Sequence, residues 1–145
     1  MVTTGGLGWK YERILDTVSH HPCSDKTHLT GFVEDDDLVV LLSLADFLVY
    51  PSILEGFGLP ILEAMACGTP IITSNVSSMP EIAGDAALLV DPYSVVSMSE
   101  GIAELGGDAL YRKELSEKGI RRARCFSWKQ TALKTLEVYR KVIAG

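Results

Sequence analysis

Residues 46–73 read Asp46-Phe47-Leu48-Val49-Tyr50-Pro51-Ser52-Ile53-Leu54-Glu55-Gly56-Phe57-Gly58-Leu59-Pro60-Ile61-Leu62-Glu63-Ala64-Met65-Ala66-Cys67-Gly68-Thr69-Pro70-Ile71-Ile72-Thr73. The stretch opens on a strand, Asp46–Tyr50, stopped by Pro51. Leu59–Cys67 follows as a helix ended by Gly68 and Pro70. Pro70–Thr73 is then a near-continuous apolar strand, the type buried on both faces of a parallel sheet. A strand, a helix and a second buried strand in 28 residues make a βαβ unit.

The same alternation runs outward in both directions. Towards the N-terminus, Val2–Thr4 reads as a strand leading into Gly5-Gly6-Leu7-Gly8. Trp9–Ser19 reads as a helix with Tyr11, Ile14, Leu15 and Val18 on one face. His28–Thr30 is a short strand, and Asp36–Ala45 a helix with acids at its positive end. Towards the C-terminus, Ser78-Met79-Pro80-Glu81 matches a capping box, so a short helix starts at Met79. Ala87–Val90 is a strand. Helices follow at Ser94–Leu105 and Asp108–Lys118. A second capping box, Ser127-Trp128-Lys129-Gln130, opens a terminal helix over 127–143. The pattern predicts an α/β fold: a parallel sheet with helices on both faces, as one domain over 1–145. Right-handed crossovers place every strand-to-helix loop on one edge of such a sheet, where ligands bind. The loops to inspect are Gly5–Gly8, Gly31–Asp35, Ser52–Gly58 and Ser74–Ser78.

Ser52–Gly58 carries the most chemistry. Gly56 and Gly58 bracket Phe57 just before a helix, and glycine lets a ligand approach the backbone. A helix start leaves outward N–H groups and favours an anion. Pro60 fits the first turn, where its missing N–H costs nothing. Gly56–Leu59 is therefore built like a cradle for a phosphate or an oxygen-rich group. Glu55 precedes the cradle, and Glu63 on the helix tips back towards it. Two ionised carboxylates so placed suit the paired hydroxyls of a ribose or hexose. A plainer reading also fits the spacing: Glu55 as a solvated loop acid and Glu63 as a helix acid helped by the dipole.

Charge is segregated along the chain. The 145 residues carry a net charge of −6, which argues against non-specific nucleic-acid binding. No Lys or Arg occurs between Lys26 and Arg112, an interval rich in Asp and Glu. A diphosphate beside two carboxylates needs cations. They must come from Lys10, Lys26, the C-terminal basic stretch, a metal ion, or protein outside this chain; the last is favoured. Apolar residues make up 47%, near the globular norm. No apolar run approaches the ~20 residues of a membrane span. No secretory leader follows Met1, which points to the cytosol or the cytosolic face of a membrane. Cys23, Cys67 and Cys125 are too widely spaced for a metal set and read as reduced thiols. His20, His21 and His28 do not form one either, because neighbours on a helix point apart.

The run Tyr50-Pro51-Ser52, Glu55-Gly56-Phe57-Gly58-Leu59-Pro60, Glu63-Ala64-Met65-Ala66-Cys67-Gly68-Thr69-Pro70 closely resembles the signature of family 4 (group 1) retaining glycosyltransferases. Gly5–Trp9 looks like the Gly-Gly-x-Gly-Trp turn of mannosyltransferase-like members. Thr30–Val33, Pro80-Glu81, Leu89–Pro92 and Phe126–Trp128 have counterparts too. The resemblance implies a GT-B fold, two Rossmann-like domains facing a cleft, with this chain as the C-terminal, donor-binding one. It implies that the family's first strand-helix unit, with its Arg and Lys for the diphosphate, and the acceptor domain are absent. It implies that Glu63 bonds the ribose hydroxyls and that Glu55, the catalytic residue, contacts the transferred sugar near its reacting face, as a nucleophile or as a stabiliser of an oxocarbenium-like state. Gly56, Phe57, Gly58 and Leu59 would offer amides to sugar and diphosphate, and Gly31, Phe32 and Val33 would border the base. The partner is a GDP- or UDP-linked hexose, with no metal or other cofactor required. The intact enzyme is expected in the cytoplasm, with peripheral membrane association; the chain alone should bind donor weakly and turn over nothing.

Two other functions touch parts of this sequence. A non-catalytic nucleotide-binding or interaction module fits the same fold. A dinucleotide-dependent oxidoreductase rests only on Gly5–Gly8 and fails, because Tyr11 stands where the third glycine belongs. Self-association, or an exposed sheet edge near Val2–Thr4, is expected. Trp128, Leu133, Leu136 and Tyr139 of the terminal helix either lack partners or pack on this domain.

Overall fold

The computed structural model describes residues 1–8 and 10–144. Trp9, the last residue of the glycine-rich turn, lies outside the described residues. The chain divides into two compact units, Met1–Val40 and Leu41–Gly145. Each contains parallel strands joined by helices, so the predicted α/β alternation is present throughout. The strands form two ladders, one in each unit.

In the first unit, β1 (Val2–Thr4) pairs in parallel with β2 (His28–Gly31). Helix α1 (Glu12–His20) and a short 3-10 turn, Ser24–Lys26, connect them. The Gly5 amide donates to the Gly31 carbonyl at 2.8 Å, extending the ladder past a register shift at Thr3/Thr4. The helix starts at Glu12, later than the periodicity predicts. All three β1 residues are exposed and α1 buries none of its own, so the apolar face expected at Tyr11, Ile14, Leu15 and Val18 is only partly covered. Helix α2 (Asp35–Leu44) follows, with Asp35, Asp36 and Asp37 in its first turn, where acids suit the dipole.

The second unit holds the core. Strands β3 (Leu48–Tyr50), β4 (Ile71–Ser74) and β5 (Leu88–Val90) form a parallel ladder in the order β3-β4-β5. All four residues of β4 are buried, as a central parallel strand demands. Tyr50 lies in register with Thr73, and Ser74 with Val90. The strands therefore end together, and loops 51–58, 75–78 and 91–94 leave from one edge. Hydroxyls prolong the ladder there: Thr73 Oγ1 donates to Tyr50 O at 2.8 Å, and Ser74 Oγ to Ser52 O at 2.6 Å.

Helices flank this ladder: α3 (Leu59–Ala66), α4 (Met79–Ala83), α5 (Val95–Gly107) and α6 (Ala109–Ala123). Small residues set the close approaches. A Cβ on Gly101 of α5 would meet Val90 Cγ1 at 2.7 Å, and one on Gly119 of α6 would meet Met65 Cγ of α3 at 3.3 Å. Ile72, Val90, Leu105 and Leu115 form one buried cluster. Ser94 and Asp108 cap α5 and α6 through their side chains. The terminal helix α7 (Trp128–Ala144) begins after Ser127, whose Oγ accepts from the Gln130 amide at 3.2 Å. Its apolar side chains stay exposed, Trp128 at 76% and Tyr139 at 62%, so the unpartnered alternative holds for this helix. No described helix is long and apolar enough to cross a membrane.

Candidate functional site

The site is built on loop 51–58 and the start of α3. Gly58 is the residue that turns the loop into the helix, with φ +105°. A Cβ there would lie 2.5 Å from Met79 Cε. Only glycine meets both demands, the left-handed backbone and the tight space. Pro60 occupies the first helical turn as expected. The amides of Gly56, Phe57, Gly58 and Leu59 donate to no described residue. Helix starts leave such amides without an intrahelical acceptor.

Glu55 is half-buried and held by hydroxyls. Tyr50 Oη donates to Glu55 Oε1 at 2.6 Å, and Ser52 Oγ donates to the same oxygen at 3.1 Å. Oε2 accepts from no described residue. The bond to Glu55, then burial, then the carboxylate's charge, push the Tyr50 phenol up to about 12. Tyr50 therefore stays a neutral donor across the physiological range. The backbone of the loop is held as well. Glu55 N donates to Ser77 Oγ at 3.0 Å, and Ser77 Oγ donates to Glu55 O at 2.9 Å. Ser78 Oγ lies 3.0 Å from both Glu55 O and Phe57 O. So Ser78 does not form the capping box read from Ser78–Glu81. It precedes α4 without a side-chain cap bond, because its hydroxyl serves the neighbouring loop instead.

Glu63 is exposed on α3, with no side-chain partner among the described residues. Phe57 meets Phe126 edge-on, with ring centroids 5.9 Å apart. The Arg122 guanidinium sits 5.0 Å above the Phe126 ring. Arg122 also donates to Ile82 O at 2.9 Å and Glu81 O at 2.6 Å, at the C-terminal end of α4. Arg112 serves Leu105 O and Gly106 O at the end of α5. Lys118 pairs with Glu114 and Asp85. These three cations of the basic stretch are thus engaged in holding helix ends and acids. No group of three or more potential metal ligands forms among the described residues.

Gly31, Phe32 and Val33 belong to the first unit. Gly31 has φ +70° and ends β2, and Phe32 is 75% exposed. The sequence reading missed the roles of Tyr50, Ser52, Ser77, Ser78, Phe126 and Arg122. Tyr50 and Ser52 stand within the quoted signature, five and three residues before Glu55, so a polar partner for that acid was available to a closer reading. Nothing local signals the bonds from Ser77 and Ser78, which span more than twenty residues.

Residues 4–122 match the family model described as glycosyl transferases group 1. The chain belongs to this family. It is 38% identical over 140 residues to the O-antigen chain mannosyltransferase B of Escherichia coli, covering 97% of the chain and 37% of that protein. It is 38% identical over 125 residues to the MMP alpha-(1->4)-mannosyltransferase of Mycolicibacterium hassiacum, covering 83% of the chain and 30% of that protein. Among solved structures, the sucrose-phosphate synthase of Thermosynechococcus elongatus superposes with a TM-score of 0.87 at 30% identity, over 99% of the chain and 38% of that structure. Anabaena HepE in complex with UDP-glucose shares the fold, with a TM-score of 0.85 at 17% identity. This group 1 chain therefore spans about a third of the length of the first of these relatives. Its cradle and both signature acids lie inside the part that matches the family.

Proposed function

We propose that this chain is the donor-binding domain of a retaining hexosyltransferase with the two-domain GT-B architecture. The intact enzyme moves a hexose from a nucleotide diphosphate to an acceptor hydroxyl and keeps the anomeric configuration. One observation carries the reading: four amides with no partner among the described residues, Gly56–Leu59, follow directly on a carboxylate that two hydroxyls hold in place. Amides at a helix start suit a phosphate or sugar oxygen. A fixed carboxylate suits the positive charge that develops on a sugar ring as its leaving group departs.

In this reading Glu55 is the catalytic residue, and Oε2, which accepts from no described residue, faces the sugar. Glu63, exposed on α3, takes the ribose hydroxyls, and Gly31–Val33 border the base. Mannose is the hexose that the names of the mannosyltransferase relatives favour, and the donor is GDP- or UDP-linked. The diphosphate's cations come from another part of the enzyme, since Arg112, Lys118 and Arg122 are engaged elsewhere. No metal is required. The enzyme works in the cytoplasm or at the cytosolic face of a membrane, and its acceptor is bound by the N-terminal domain.

The test joins this chain to the remainder of the enzyme. Glu55→Ala should cut transfer by at least about a hundredfold, the scale of losing one transition-state stabiliser. Transfer unchanged in Glu55→Ala would sink the catalytic reading and leave a non-catalytic nucleotide-binding module. The isolated chain should bind nucleotide sugars weakly; sub-micromolar affinity would count against a site that lacks its cations.

A further inference from the structure

The loop between β4 and α4, residues 75–78, reads from sequence only as a connection at the ligand edge, with Ser78 as a helix cap. Its side chains do something else. We propose that Ser77 and Ser78 are positioning residues that set the direction of the cradle amides. This inference rests on the donor-binding reading of loop 51–58.

The argument begins with peptide geometry. In a trans peptide the carbonyl and the following amide point in opposite directions. Ser77 Oγ and Ser78 Oγ both donate to Glu55 O, so they turn that carbonyl towards α4. The Gly56 amide, in the same peptide plane, is thereby turned away. Ser78 Oγ has one proton to share between Glu55 O and Phe57 O, both at 3.0 Å, and its approach to Phe57 O turns the Gly58 amide away. Those two amides are among the four that donate to no described residue. Ser77 Oγ also accepts from Glu55 N, so it grips residue 55 from both sides of its backbone. That grip lies next to the side chain whose Oε1 takes the Tyr50 and Ser52 hydroxyls.

The backbone of Ser77 supports the assignment. Its φ is +60°, and only one other described non-glycine residue, Lys10, has a positive φ. A left-handed conformation is unfavourable for a residue with a Cβ, and glycine avoids that penalty. A serine kept there needs its hydroxyl for something. The strain places that hydroxyl within 3.0 Å of both polar backbone atoms of Glu55. Strained residues gather at functional sites, where the surrounding structure holds them.

Three variants of the 145-residue chain test the proposal: Ser77→Gly, Ser77→Ala and Ser78→Ala. Ser77→Gly removes the hydroxyl and relieves the backbone, so its melting temperature should equal or exceed that of the wild type. Ser77→Ala loses the hydroxyl and keeps the strain, so it should melt lower. In both, the Glu55 amide should exchange its hydrogen about threefold to tenfold faster, the scale of one net hydrogen bond. GDP-mannose and UDP-glucose are then added in parallel, following the Gly56 and Gly58 amide resonances. All three variants should bind the preferred nucleotide sugar several-fold more weakly than wild type, Ser77→Gly included despite its stability. A purely structural role predicts that Ser77→Gly binds as well as wild type, and that result overturns the proposal. Unchanged exchange at Glu55 also overturns it. A wild-type chain that binds neither sugar nucleotide overturns the donor reading itself, and is a different result from variants that retain wild-type binding.

Discussion

The two units of this chain are written in the same style and finished differently. Both alternate parallel strands with helices. Yet every buried described residue lies at position 42 or beyond. In the second unit β4 is buried throughout, and Ile61, Met65, Ile71, Ile72, Met79 and Leu105 are fully enclosed. In the first unit β1 is wholly exposed and Leu29 of β2 is 45% exposed. The strand-helix pattern is therefore a local property, while a core needs layers on both faces of a sheet. Glu55, the candidate catalytic residue, and the amides that follow it sit on the unit that has that core, where a rigid frame can hold them.

The contrast can be broken most forcefully in the core. Ile72→Ala should cost about 2–5 kcal/mol, the range for emptying a buried aliphatic site. Leu29→Ala in the exposed ladder should change stability by no more than about 0.5 kcal/mol. Urea denaturation of both variants measures this, and equal losses would erase the distinction between the units.

A smaller effect is expected at the joint between core and site. Gly58→Ala forces a Cβ onto the Met79 side chain at a left-handed backbone. It should cost about 1–3 kcal/mol, combining overpacking with strain. It should also shift the Phe57 and Leu59 amide resonances, whereas Gly6→Ala in the first unit meets nothing within 4 Å and should shift stability far less.

The finest distinction is one proton. Tyr50 is held neutral by Glu55, with its pKa raised from 10.0 to about 12. A raised folded-state pKa means that the contact contributes its full stability below pH 10. That contribution falls as pH rises from 10 through 12. Absorbance titration should show a tyrosine ionising near pH 12, and Glu55→Gln should bring it down towards 10. Tyr50→Phe should abolish that late step and lessen the loss of stability between pH 10 and 12. A wild-type profile with no tyrosine ionising that late would deny the Tyr50–Glu55 bond in solution.

Much of the second unit was legible in the sequence. Apolar continuity marked Ile71–Thr73 as a buried strand, and Gly58 with Pro60 marked the start of α3. These features follow from neighbours in the chain: strand burial from composition, helix entry from φ and a missing amide hydrogen. The helix boundaries were less legible. The periodic face of α1 suggested a start at Trp9, but the helix begins at Glu12, and a face left partly uncovered gives little to define its end.

The sequence by itself determined the order of strands and helices, the glycine-framed amides and the two acids spaced around them, since each depends on backbone preferences that act over a few residues. Tertiary structure alone decided how those parts are held: that Tyr50 and Ser52 grip Glu55, that Ser77 and Ser78 turn the loop's carbonyls, that Phe126 meets Phe57, and that α7 finds no cover. A serine hydroxyl has a cap, a turn and a distant carbonyl among its partners at similar energy, and only the folded chain brings one of them within 3 Å.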